Sequence, residues 1–195
     1  MAISSATRPS AYLAPLLGIL LGMQIEVTQG DITTERTDTI VNAANSTLMG
    51  GGGVDGAIHA AAGPTLLHEC RRLRGRRWPD GLPVGEAVVT GAGDLPAHWV
   101  IHTVGPNAHR GQNDPALLTS CFRRSLEVGA KVGARTISIP AISAGVYGWD
   151  AAEVADIAML ATRTFKHDHP DALDLVRFVL FSKEIFALFQ SALPR

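Results

Sequence analysis

Four consecutive glycines, Gly50, Gly51, Gly52 and Gly53, stand directly before Val54 and Asp55. Such a run loses much backbone entropy on folding and buries almost no side chain, so it serves where backbone must approach a ligand closely. A helix-like segment follows at once, over residues 54–62, with Ala57, Ile58, Ala60 and Ala61 in it. A glycine loop that opens a helix aims free N–H groups at one point, and the helix dipole adds partial positive charge there. That is the chemistry of an anion site, phosphate above all. Asp55 places an acid inside it, which is unfavourable unless the carboxylate does chemistry or receives a hydroxyl. Residues 143–149 repeat the logic: Gly145 and Gly148 free the backbone, Ser143 offers a hydroxyl, and a helix is expected from Asp150, a natural N-cap. Two glycine loops at two helix starts suggest a diphosphate held from both sides, as in a nucleotide sugar or dinucleotide.

The elements that must position these loops alternate. Residues 24–28 have strict period two and read as a half-buried strand ending in the turn Gly30-Asp31-Ile32. Residues 38–42, 86–90, 99–104, 136–139 and 175–181 read as further strands, several of them rich in β-branched residues. The turn-rich segment between 86–90 and 99–104 favours an antiparallel pair. Helices are expected over 54–62, 64–74, 115–132, 150–165 and 183–193, with Pro64 suited to a first helical turn. This alternation means an α/β layered sandwich, in which ligands sit at the C-terminal ends of the strands. The 30–32 turn, the segment from Asn42 to Asp55, and the 143–149 loop each follow a strand.

The 195 residues suit one domain with an extension. With 46% hydrophobic and 18% charged residues there is ample core, and a formal charge of −1 provides no global basic field for nucleic acid. Cys70 and Cys121 have no metal or redox spacing and are expected to be free, packed thiols in a reducing, cytoplasmic setting. The apolar run over residues 11–23 is too short to span a bilayer, and as a secretion signal it lacks a charged start and a clear cleavage site. The domain is expected to span 23–195, with 1–22 an extension. No membrane partner is expected, and a monomer is.

Generic motifs fail on context. Gly51-x-Gly53-x-x-Gly56 matches GxGxxG, but it does not turn directly off the first strand, and Asp55 would sit where a pyrophosphate belongs. No GKS or GKT follows either loop, and Ser143 lacks the GxSxG setting of a hydrolase elbow. His98 and His102 share one strand face and read as packed residues. No metal site and no cofactor are expected.

Five motifs in order carry a resemblance: Gly30-Asp31-Ile32, then IVNAAN over 40–45, GGGGVDGAIHAAAGP over 50–64, IHTVGP over 101–106, and PAISAGVYGW over 140–149. Together they resemble a macrodomain, of the MacroD-like branch. The resemblance implies a three-layer α/β/α sandwich with a mixed, mostly parallel central sheet that binds ADP-ribose. It also implies hydrolysis of mono-ADP-ribose from acidic side chains of proteins, and deacetylation of O-acetyl-ADP-ribose. Asp31 and Ile32 would then hold the adenine. Gly52, Gly53 and Val54, with Ser143, Ala144, Gly145, Val146 and Tyr147, would cradle the diphosphate. Tyr147 and Trp149 would wall the cleft. Asn45 would bind the distal ribose, and Asp55 would sit at the scissile bond, positioning or deprotonating a water. A helix N-terminus should lower the pKa of Asp55 and weaken it as a base, which leaves a ligand phosphate as the other candidate base. His59, one turn on, is expected to be structural. Ala144 and Trp149-Asp150 depart from the branch's usual Thr and aromatic-Pro. Two other classes stay open: a non-catalytic ADP-ribose reader, and a hydrolase of ADP-ribose-1''-phosphate or of ADP-ribosylated nucleic acid.

Overall fold

A computed structural model describes residues 22–193. The extension expected over 1–22 lies outside the described residues except for Gly22. The central strands are buried at nearly every position, and their alternate residues face different cores. Ile40 and Val100 face one core while Val41 and Ile101 face another. A strand buried on both faces needs a layer on each side, and the chain supplies them.

The strands are β1 (Gln24–Gln29), β2 (Thr39–Ala44), β3 (Ala87–Gly91), β4 (Trp99–Val104), β5 (Thr136–Ile139) and β6 (Leu175–Leu180). The helices are α1 (Gly53–Arg76), α2 (Pro115–Lys131), α3 (Ala151–Asp168) and α4 (Lys183–Ala192). The sheet runs β1-β6-β5-β2-β4-β3, and only β3 is antiparallel to its neighbour. This is the mixed, mostly parallel sheet of the expected three-layer sandwich. On one face α2, α3 and α4 close an apolar core through Phe122, Leu126, Val154, Ala158 and Phe189, which pack on Ile137, Val176 and Phe178. On the other face α1 alone brings Ile58, Ala62, Leu66 and Cys70 against Ile40, Val88, Val100 and Val104.

The two helices expected over 54–62 and 64–74 are joined into α1, which bends at Gly63 (φ 71°, ψ −173°). Pro64 has no N–H to continue the helical ladder there, and at the bend the Ala62 carbonyl accepts from Asp94 N at 3.0 Å. Among the described residues no helix is long and apolar enough to cross a membrane. Cys70 and Cys121 are both free and buried. Burial pushes their thiols up, to about 12 and about 11.

Candidate active site

The parallel strands β1, β2, β4, β5 and β6 end on the same edge of the sheet, and the loops leaving them enclose a cleft of about 600 Å³. Asp31, Ile32, Asn45, Gly52, Gly53, Val54, Asp55, Ser143, Gly145, Val146 and Tyr147 all line it. Asp31 Oδ1 accepts from Thr33 N at 2.9 Å and from Thr33 Oγ1 at 2.8 Å, which fixes the carboxylate at the mouth of the turn.

Two residues predicted for the cleft are not on its wall. Trp149 is 7% exposed and belongs to the apolar core beside α3. Its indole supplies hydrophobic area that outweighs any gain from facing an open cleft. Ala144 packs against the same core, and its N–H donates to Ala141 O at 3.3 Å. Conversely, Phe181 lines the cleft and is 86% exposed, although the sequence reads it as the last residue of a buried strand. Val179, Ser182, Ile185 and Gly105 line it too. Gly105 lies in the IHTVGP stretch quoted above, whereas Phe181, Val179, Ser182 and Ile185 carry no motif, and only the rule that ligands gather at strand C-termini could have flagged them.

The first glycine loop is pinned from beneath. Asn45 Nδ2 donates to Gly50 O at 2.9 Å and lies 3.3 Å from Asp55 Oδ2, while Asn45 Oδ1 accepts from Thr47 N at 2.9 Å. Gly53 takes φ 61°, a conformation that resists any side chain, and so turns the chain into α1. The helix N-cap, Gly52, makes no side-chain cap hydrogen bond. The first-turn N–H groups of α1 are therefore left for a ligand.

The second loop departs from expectation at its helix. Asp150 Oδ1 accepts from Ala152 N and Glu153 N, each at 3.0 Å, so the N-terminus of α3 is already satisfied. The donors this side can offer are those of the loop itself. Gly145, Val146 and Tyr147 have N–H groups without an intramolecular partner among the described residues. Ser143 adopts φ 67°, and its buried Oγ has no hydrogen-bond partner. Strain and an orphaned hydroxyl together mark a residue shaped for something outside the chain.

Asp55 is 3% exposed yet lines the cleft. Its Oδ1 accepts from Asn42 Nδ2 at 2.7 Å, and His59 Nε2 stands 3.5 Å from the same oxygen. Burial raises its pKa above the ordinary 3.8, against the opposing pull of the Asn42 hydrogen bond and of His59. The shift runs opposite to the lowering expected from the helix terminus, because desolvation of the carboxylate outweighs the Asn42 hydrogen bond and the charge of His59. His59 touches Asp55, as its place one turn on implies. Burial and the negative charge of Asp55 hold the Tyr147 phenol protonated, with Arg110 opposing.

Below Asp55, ligating atoms of His59, Cys70 and His102 lie within 4.8 Å of one another. His102 is fully buried, and burial pushes its pKa down to about 3, so it is neutral. Its Nδ1 lies 3.2 Å from Asn42 Nδ2, and its Nε2 lies 3.0 Å from Thr90 Oγ1 and 3.7 Å from Cys70 Sγ. With both ring nitrogens engaged and the thiol protonated, the cluster is a polar network of the core.

An uncapped helix start, a strained donor loop opposite it and a buried acid between them lie together at the strand ends of an α/β/α sandwich, a layout with the chemistry of an anion site. The family model of the Macro domain matches residues 41–158, and the chain belongs to that family. It is 52% identical over 165 residues to a Macro domain-containing protein of Streptomyces nogalater, covering 85% of this chain and 89% of that one. It is 48% identical over 171 residues to a protein of Cronobacter sakazakii named O-acetyl-ADP-ribose deacetylase, covering 87% and 93%. Among solved structures, an Oceanobacillus iheyensis macrodomain with ADP superposes with a TM-score of 0.80 at 43% identity, over 86% of this chain and 88% of that one.

Proposed function

We propose that this protein binds ADP-ribose in the cleft, removes mono-ADP-ribose from acidic side chains of proteins, and deacetylates O-acetyl-ADP-ribose. The supporting observation is Asp55: a carboxylate buried to 3% exposure, facing the cleft beside an uncapped helix start, with its pKa raised by burial. A reader module has no use for such a group, whereas a hydrolase needs a base whose pKa has moved toward neutrality. The relative named O-acetyl-ADP-ribose deacetylase supports the same reading.

Asp31 and Ile32 receive the adenine. The N–H groups of Gly52, Gly53 and Val54 take the diphosphate from one side, and those of Gly145, Val146 and Tyr147, with the Ser143 hydroxyl, take it from the other. Asn45 and Asp55 face the distal ribose. Asp55 accepts a proton from a water as its oxygen attacks the anomeric carbon. The bond from that carbon to the ester oxygen breaks, and the protein's carboxylate leaves. In deacetylation the water attacks the acetyl carbonyl instead, the bond from the acyl carbon to the ribose oxygen breaks, the proton taken up by Asp55 passes to that departing oxygen to restore the ribose hydroxyl, and acetate is released. The protein is read as a monomer, and the two free, buried thiols fit a reducing cytoplasm.

Product release is to be measured side by side on auto-modified mono-ADP-ribosylated protein and on O-acetyl-ADP-ribose. Asp55→Ala is expected to lower kcat at least ~1000-fold, the scale of losing a general base together with its water, while ADP-ribose affinity stays within a few-fold. In the wild type, activity is expected to fall on the acid side in a limb above the ordinary Asp value of 3.8, since Asp55 acts ionised and its pKa is raised. Retained turnover in Asp55→Ala sinks the assignment.

A further inference from the structure

Behind Asp55 a file of hydrogen bonds runs through the sheet. Asn42, Thr90 and His102 are 0%, 4% and 0% exposed. The Val100 carbonyl can only accept, so Thr90 Oγ1, 3.5 Å away, gives it its single proton. The hydroxyl oxygen then accepts from His102 Nε2–H across 3.0 Å. A neutral imidazole has one N–H, so Nδ1 is bare and accepts from Asn42 Nδ2 at 3.2 Å. The other hydrogen of that Nδ2 goes to Asp55 Oδ1 at 2.7 Å. Each link fixes the polarity of the next. The resulting amide orientation leaves Asn42 Oδ1 buried without a partner. Leaving a buried acceptor unpaired is costly, and the two contacts of Nδ2, with Asp55 and with His102, are what hold the amide in that orientation.

We propose that His102, seated on Thr90, is a positioning residue for the hydrolysis. It holds the Asn42 amide so that an N–H always meets Asp55 Oδ1, which leaves Asp55 Oδ2 toward Asn45 and the cleft. The proposal rests on the role of Asp55 given above. It explains why a fully buried histidine stands opposite an asparagine: Asn42 and His102 are Cα partners in the β2–β4 register. The groups facing Asp55 are Asn42, Asn45 and His59 by contact, with Cys70 and Tyr147 within electrostatic reach.

Three measurements test this. Nitrogen-15 spectra of the wild-type imidazoles are expected to show His102 with a bare Nδ1 and a protonated Nε2 at neutral pH. His102→Leu removes the acceptor for Asn42 and is expected to lower kcat about 10- to 100-fold, the scale of a misplaced catalytic group, with KM and ADP-ribose affinity within about twofold. Its acid limb should move to higher pH, because the Asn42 hydrogen bond that holds the Asp55 pKa down is loosened. His102→Asn, whose Oδ1 can stand near the site of Nδ1, should recover most of kcat. Thr90→Val, nearly isosteric within its strand, should give a smaller kcat loss in the same pattern, and it decides the matter if His102→Leu does not fold. A protonated Nδ1 overturns the proposal, as does a wild-type kcat and pH profile in Thr90→Val or His102→Leu. If the wild type hydrolyses neither substrate, the functional reading fails instead, and the imidazole spectra of wild type and Thr90→Val still decide the relay.

Discussion

The two glycine loops of the cleft look alike in sequence and are built in opposite ways. The loop before α1 hands its donors to a helix start that Gly52 leaves uncapped. The loop before α3 ends at Asp150, whose carboxylate closes the helix and leaves only loop N–H groups and the strained Ser143 to face the cleft. Of the four helices described, α2, α3 and α4 carry side-chain caps from Asp114, Asp150 and Ser182, and α1 does not. A helix N-terminus is an anion site only where the chain declines to satisfy it. The first loop therefore brings the helix field to the cleft, while the second brings local geometry alone.

Breaking the first loop should have the largest effect. Gly52 has φ −95°, and a Cβ there meets nothing within 4 Å, so Gly52→Asp fits the backbone and supplies the missing cap. ADP-ribose affinity by calorimetry is expected to fall at least ~100-fold, since a carboxylate then occupies the anion site. The melting temperature should hold or rise. Unchanged affinity would mean that the α1 terminus does not hold the phosphates. The mirror change, Asp150→Ala, is expected to lower stability by about 1 kcal/mol in denaturant titration, as for other lost caps. Its ADP-ribose affinity should stay within about threefold, and a larger fall would assign the α3 terminus to the ligand after all. Ser143→Gly gives the smallest change in stability. Relief of a left-handed residue is worth roughly 1–2 kcal/mol and the added glycine entropy takes back roughly 0.5–1 kcal/mol. A net gain of about half a kcal/mol is expected, with affinity reduced several-fold by the lost hydroxyl.

Much of this arrangement could be read along the chain. Strict alternation located β1, the β-branched runs located β2, β4 and β5, and Asp150 was legible as an N-cap. The glycine run and Asp55 pointed to each other because they are close in sequence. What could not be read lies across the sheet. Asn42 and His102 are 60 residues apart, and period two says which face each occupies but not what it meets. The sign of the Asp55 shift depends on how deeply α1 buries it, a tertiary quantity that the helix-terminus rule does not contain. Trp149 was misplaced for a related reason: an aromatic residue after a glycine loop looks like a cleft wall until the neighbouring helix is seen to offer it a drier place.

The register pairing of Asn42 with His102 also bears on how the protein melts. Both residues sit in interior strands of the sheet, β2 between β5 and β4, and β4 between β2 and β3. Their amides therefore belong to the cooperative unit whose opening requires the whole domain to open, while the glycine loops at the rim can fray at far lower free energy. On warming, the grip on the nucleotide should slacken well before the acid's supporting frame is lost, so that in hydrogen exchange the two halves of one site would keep different clocks.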